Sequence, residues 1–557
     1  MPQAVAAVIA AATAFFTTAT GSAIIGTFIV KTLVAVAINA AISLVANAFA
    51  PKPDAALSLL DPAQFNNVNA DPLSARFILY GESAIAGEAV YEHLHADREW
   101  VTRIVQLADF GQIGNPHDLV RVEIEGVVVS FDGAGNATGI YAGYLKCRFY
   151  GGDPNQTADA ATITNSGGEW TSAHRGRSCV YAALEAKLSN SDRFPGGWPT
   201  IMFVMRGRRL YNPLLDSTAP GGSGAHRLDD ESTWAYSNNA ALVIFDYARG
   251  ISVNGVRVAG THIPADLIDM DWLRASIAAA AAEGWTINGF VPTDNDPAEI
   301  LKSFAMHMAG RVASRKGKLA IVAGYDWPAI LTLEADDLAG ALSVTPFRGW
   351  RDAYNQTRAS YRSELDDWGP VETNLIAGDD WLAEDGEELE RPFAAPFATA
   401  HDKAARLAWV DLYRERTPST IEAPWKLRAA EAGEADIVRV RLPQYDIDRA
   451  YEITGRALNV LGFVTLSLRE WDASAALART DFGTPPSQSV SDRNGITPDT
   501  PVDWGLTPTP VDSPTGTLPG IVIAGAPPEW VDGVVIEWRE NGAADWQTLQ
   551  DTRPETT

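Results

Sequence analysis

The hydrophobic pattern of this chain changes abruptly near Pro51. Met1–Pro51 carries one charged side chain, Lys31, between two uncharged Ala/Ile/Val-rich runs, Ala4–Val30 and Thr32–Ala50. Each approaches the ~20 apolar residues that cross a bilayer core as a helix. Ala4, Phe15, Ile24, Val30, Leu33 and Leu44 belong to this surface, and Gly21, Gly26 and Lys31 mark breaks in it. Its small residues suit close helix packing. The segment therefore reads either as membrane-inserting helices or as a plug buried inside an oligomer. A cleaved leader fits poorly, because no Lys or Arg precedes the run and the run is too long.

After a polar connector the period shortens to two. Strands are predicted at Arg76–Tyr80, Glu88–His95, Trp100–Ala108, Asp118–Ser130, Gly139–Phe149 and Pro199–Arg206, with a turn at Asp132–Asn136. Helices follow at Ala240–Arg249 and Ile268–Ala282. A third begins at Asp296, where Pro297 and Glu299 complete a start signal. Ile300, Leu301, Phe304, Met308 and Val312 fall on one face of it. A strand at Gly317–Gly324 and a helix at Asp402–Arg416 come next, the helix between β-rich Tyr354–Tyr361 and Ile437–Arg441. The fold class is α+β and β-rich, with several domains of small sheets each covered by a helix. Gly483–Pro519 reads as a Pro/Ser/Thr linker, followed by sandwich strands at Gly520–Ala524, Val531–Trp538 and Asp545–Leu549. About forty residues cannot complete a ~100-residue sandwich, so the polypeptide is expected to continue.

Charge narrows the function. Seventy acidic against forty-four basic residues give a net charge of −26. Gripping nucleic acid needs Lys and Arg clusters, so this balance suits a conduit past which DNA slides. Cys147 and Cys179 read as reduced thiols, with a single bridge between them as the alternative. His93 and His95 sit two apart, but no second histidine cluster completes a metal site. The acidic run Glu384–Glu390 lacks the order of calcium ligands and reads as a solvated loop. Gly310 to Lys318 has the wrong spacing for a phosphate loop. Neither a G-x-S-x-G elbow nor a zinc helix occurs, so no catalytic, cofactor-binding or metal residue is assigned.

Two segments carry a resemblance. Arg206–Pro213 reads RGRRLYNP and Thr233–Leu242 reads TWAYSNNAAL. Together they resemble a paired motif of the tail-tip attachment, or central hub, protein of lambda-like long-tailed bacteriophages (the host-specificity family). There a GR-x-(V/L)-Y-(D/N)-P strand precedes a W-x-Y-S-x-N-P-A-L helix entry. Ala240 stands where that family often has Pro, which leaves Ser237 and Asn238 as expected caps. Gly81–Ala108 before the pair, and Ile263–Asp269, the Asp296-Pro297 helix, Gly433–Val438 and Ile453–Glu470 after it, resemble further segments of that family in the same order, and Gly520–Leu549 resembles the start of a fibronectin type III module.

The resemblance spans roughly residues 75–480 and implies a homotrimeric hub of small β-barrel and sandwich domains with helical insertions. On that reading the divisions are 1–51 apolar helices, 52–75 linker, 76–210 β-rich hub domain, 211–335 α+β insertion, 336–482 β-rich domain with a helix, 483–519 linker and 520–557 partial fibronectin-like module. It further implies a structural, non-enzymatic protein at the virion tail tip. Its partners would be the distal tail protein, other tail-tip proteins and the tape-measure C-terminus. A host surface receptor would be reached through downstream modules, and the host inner membrane through the N-terminal segment. DNA would pass the lumen without specific binding. Arg208, Tyr211, Trp234, Tyr236, Ser237 and Asn238 then form an interface or fold motif. Competing readings are a membrane-anchored bacterial adhesin and a tail-associated glycan or cell-wall hydrolase.

Overall fold

The computed structural model describes residues 76–486 apart from 111–115, 125, 190–192, 195–196, 254–255, 347–353, 367, 379, 417–418 and 460–461. It also describes the strand residues 505–513, 516–524, 534–538 and 547–552. The apolar N-terminal segment, with Ala4, Phe15, Ile24, Val30, Lys31, Leu33 and Leu44, lies outside the described residues. The chain forms two compact units that divide after Ser489.

The first unit opens with β1 (Phe77–Tyr80), β2 (Glu82–Ile85), β3 (Glu88–Leu94), β4 (Val101–Asp109), β5 (Asp118–Ile124) and β6 (Val127–Val129). Then come β7 (Leu145–Gly151), the short helix α1 (Ala160–Asn165), β8 (Cys179–Ala186) and β9 (Ile201–Arg206). They build two antiparallel four-stranded sheets, ordered β3-β4-β8-β7 and β2-β9-β5-β6. Side chains alternate across each strand. Val105 and Leu107 of one sheet and Val122, Ile124, Phe203 and Met205 of the other share a core. The opposite face of β9, with Met202 and Val204, packs on Trp368. The stretch Asp118–Ser130 is thus two strands around a turn at Gly126, and Gly139–Tyr141 is a 3-10 turn before β7.

Next are the two-residue strands β10 (Arg209–Leu210) and β11 (Ala235–Tyr236), then helix α2 (Ala240–Arg249). A hairpin of β12 (Ile251–Val253) and β13 (Val256–Ala259), helix α3 (Met270–Glu283), β14 (Gly289–Pro292) and helix α4 (Pro297–His307) follow. The group ends in the hairpin β15 (Arg311–Arg315) and β16 (Lys318–Val322). Helix α2 is buried from Ala240 to Ala248, with Asp246 the one charged side chain in that stretch. Asp269 and Asp296 cap α3 and α4, and α3 ends at Gly284 in the left-handed conformation. Val312 is not on α4. The chain turns at Ala309 and Gly310, where a Cβ would meet the Val322 carbonyl, and Val312 pairs with Ile321 in the hairpin. It still packs on the core that α4 faces, which explains why its spacing looked helical.

A six-stranded sheet closes the unit, ordered β17-β24-β25-β26-β23-β18 when the strands are named β17 (Leu331–Glu334), β18 (Ser343–Thr345), β19 (Gln356–Ser363), β20 (Gly369–Glu372), β21 (Ile376–Ala377), β22 (Glu390–Ala395), β23 (Thr420–Trp425), β24 (Ile437–Leu442), β25 (Ile447–Leu458) and β26 (Val464–Glu470). Strands β20, β21 and β22 surround β19 in a second sheet. Helix α5 (Trp381–Asp385) precedes β22, α6 (His401–Arg416) packs on β19, and α7 (Ala473–Ala478) packs on α6. One large core runs through this unit from Ile78 to Phe482, drawing on α2, α3, α4, α6 and α7.

The second unit holds β27 (Gly505–Ser513) paired with β28 (Gly516–Ala524), and β29 (Val534–Trp538) paired with β30 (Gln547–Thr552). The linker reading of 483–519 is therefore corrected over Gly505–Pro519. Pro508 and Pro510 had argued for a linker, yet each strand of a two-stranded ladder has an outer edge where a missing N–H costs nothing.

Candidate functional site

The RGRRLYNP and TWAYSNNAAL segments meet around α2, and Arg208, Leu210, Tyr211 and Trp234 turn inward. Arg208 is 4% exposed and donates from Nη1 to the Phe110 carbonyl (2.8 Å). Its Nε makes a longer contact of 3.4 Å with Asp246 Oδ2, which also accepts from Tyr80 Oη at 2.8 Å. Burial, then Asp246, pushes the Tyr80 phenol well up. Burial opposes the charge of Arg208, but Asp246, Tyr80 and Glu231 together raise the guanidinium above its ordinary value.

Tyr211 and Trp234 occupy the next layer, both buried. Tyr211 donates its hydroxyl to Asp216 (2.8 Å), and Trp234 donates Nε1 to the Arg227 carbonyl (2.8 Å). Hydrogen bonds from Thr218, then from Tyr211, hold the Asp216 carboxyl down at about 2. The Arg249 guanidinium lies 5.5 Å from the Trp234 ring. Tyr236 sits nearer the surface, paired with Arg209 in the β10–β11 ladder and covered by Arg206 at 5.2 Å.

The cap of α2 is Asn239, not Ser237 or Asn238. Asn239 Oδ1 accepts from Ala241 N and Leu242 N, while its Nδ2 donates to the Ile277 carbonyl (3.0 Å). Ser237 Oγ accepts from Asn239 N, one step earlier, and Asn238 points to Asn288. The extended φ/ψ needed at a cap falls on the residue just before the first helical turn, and here that residue is Asn239.

The remaining candidates are dispersed. His93 Nδ1 lies 3.1 Å from Glu169, and His95 Nε2 lies 2.7 Å from Thr102, so the two rings serve different partners. Among the described residues no group of three or more His, Cys, Asp or Glu is placed to hold a metal ion. Glu384 and Asp385 are engaged by the Arg416 guanidinium at 3.0 and 2.6 Å. Both thiols are free, and burial pushes each up to about 12. Gly151 pairs with Val180 and Cys147 with Leu184 in the β7–β8 ladder. That register puts the two cysteines about 16 Å apart along the strands, beyond the ~7 Å reach of a disulfide. No helix among the described residues is long and apolar enough to cross a membrane.

Two features escaped the sequence reading. Asp159 caps α1 and also accepts from Arg148 (2.7 Å) and Tyr150 (2.7 Å), fastening residues 152–178 over the outer face of the first sheet. Helix α6 carries Arg406, Trp409, Tyr413 and Arg414, which engage the chain that follows β26. Their helical spacing was readable, but their distant partners were not.

No protein-family model matches the sequence, and no curated protein matches it. Among solved structures, a chain from the virion of a native gene transfer agent particle aligns with a TM-score of 0.50 at 17% identity, covering 76% of this chain and 90% of that one. The two chains share a fold. The 43 kDa tail protein of prophage MuSo2 from Shewanella oneidensis (10% identity, 72% and 99% covered, TM-score 0.27) and a tail protein from Neisseria meningitidis (11%, 71% and 96%, 0.24) align more loosely.

Proposed function

We propose that this chain is a structural hub of a phage-type tail, closing the distal end of the tail tube, contributing to host attachment and opening for DNA ejection. The observation that carries the reading is the fold shared with a virion chain over 76% of this protein and 90% of that one. It accords with the paired motif at 206–242. The motif's inward-facing Arg208, Tyr211 and Trp234 do the work of a scaffold, tying strand, turn and helix together. The hub is read as a homotrimer that meets the distal tail protein and the tape-measure C-terminus, with downstream modules, fibronectin type III-like at their start, reaching a host receptor. A net charge of −26 supports a lumen that repels DNA and lets it pass. The apolar segment Ala4–Ala50 is stored until the tip opens and then enters the host inner membrane.

Gold-labelled antibody against this chain should mark the distal end of tails and nothing else; label on capsids or on uninfected cell membranes refutes the hub. Deletion of residues 4–50 should leave adsorption intact and block DNA entry. Normal ejection by that deletion removes the membrane step alone.

A further inference from the structure

The chain leaves the six-stranded sheet from β26, a strand hydrogen-bonded to β25 on one side and β23 on the other. It then runs along α6, where ring and guanidinium groups hold it. Trp409 Nε1 donates to the Ala476 carbonyl (3.0 Å), and Arg406 donates to the Leu477 carbonyl (3.3 Å). The Arg479 guanidinium lies 4.6 Å from the Trp409 ring and 5.2 Å from the Phe482 ring, while donating to the Ala377 carbonyl at 2.7 Å. Behind Trp409, Trp381 stacks at 5.3 Å with the rings 8° apart, and Arg416 covers it in turn. One turn along α6, Tyr413 meets Trp471 edge-on and Arg414 lies 4.6 Å over the same indole. Asn374 donates to the Thr484 carbonyl beyond.

These ties are denser than a six-residue helix needs for burial alone, and α7 is too short to persist without them. They also sit where tension would enter. A pull on residues after Pro486 would fall directly on Glu470 and peel β26 if the intervening segment were loose. With the segment clasped, the pull is shared among planar contacts on α6, which is embedded in the large core. We infer that the clasp between α6 and Trp471–Thr484 is a mechanical anchor, passing tension on the downstream chain into α6 and sparing β26.

The test is to stretch the full-length chain between its C-terminus and a handle on Leu365→Cys, an 80% exposed position after β19. The second unit should extend first. The segment Trp471–Pro486 should then release in its own step of up to roughly 50 Å, before the rest of the body. Arg479→Ala and Trp409→Phe should each lower the force of that step and leave the other steps unchanged. Arg479→Lys, which keeps the charge but not the planar face, should behave like Arg479→Ala. Release of this segment before the second unit in the unmodified chain overturns the anchor, as does an unchanged force in Arg479→Ala. Should Trp409→Phe fail to fold, the half-buried Arg479 decides the matter alone.

Discussion

Arg208 and Asp246 are each within a few per cent of full burial, and Tyr80 closes the group. A buried ion pair gains little over an apolar pair of the same volume, yet losing one partner strands the other charge. Arg208→Met alone should therefore destabilise the first unit by about 3–5 kcal/mol. Adding Asp246→Leu should return much of that loss, measured by urea unfolding of both variants. His307 makes a second residue-scale case. It is fully buried, with Nδ1 against the Ser303 carbonyl (2.7 Å) and Nε2 accepting from Phe397 N (3.0 Å), which leaves it neutral. Burial lowers it from 6.5 to about 4. Between those values the unfolded chain binds a proton that the folded chain refuses. Its contribution is thus complete above about pH 6.5 and declines by up to roughly 3 kcal/mol as pH falls to about 4. His117, lowered to about 3 by burial and then by Arg208, adds in the same direction. Urea midpoints across this window should fall with acid, and His307→Leu should flatten the slope by about one proton while lowering stability at pH 7.

At the scale of elements, the start of α2 is held by one side chain. Asn239→Ala should cost about 1 kcal/mol, and Ser237→Ala or Asn238→Ala distinctly less, because only Asn239 satisfies first-turn amides. Thermal unfolding of the three variants separates them. Three cap-competent residues in a row, Ser237, Asn238 and Asn239, explain why sequence located the helix but missed its cap. At Asp296, which Thr293, Asp294 and Asn295 precede, Pro297 marks the first helical position and so made the cap legible. Strand β8 was missed for the opposite reason. Seven of its eight residues are buried, so Cys179–Ala186 shows no polar alternation to read. The inward turn of Arg208 and Trp234, and the pairing of Arg479 with Trp409, were beyond reach because each depends on partners set by the tertiary fold.

At the scale of the molecule, a single large core joins segments that are far apart in sequence, and the six-stranded sheet likewise begins at Leu331 and finishes at Glu470. Such a body gains its stability late, when distant pieces meet. The strand β1 makes the point in time rather than space. Phe77–Tyr80 finds its partner in Gly289–Pro292, with Phe77 opposite Pro292. At about 5–20 residues per second the ribosome needs roughly ten to forty seconds to make the chain between them. Through that interval the nascent chain carries an unmatched FILY strand just behind its charge-poor first fifty residues. Synthesis, more than the finished form, is the stage at which such exposed apolar surface is prone to aggregate.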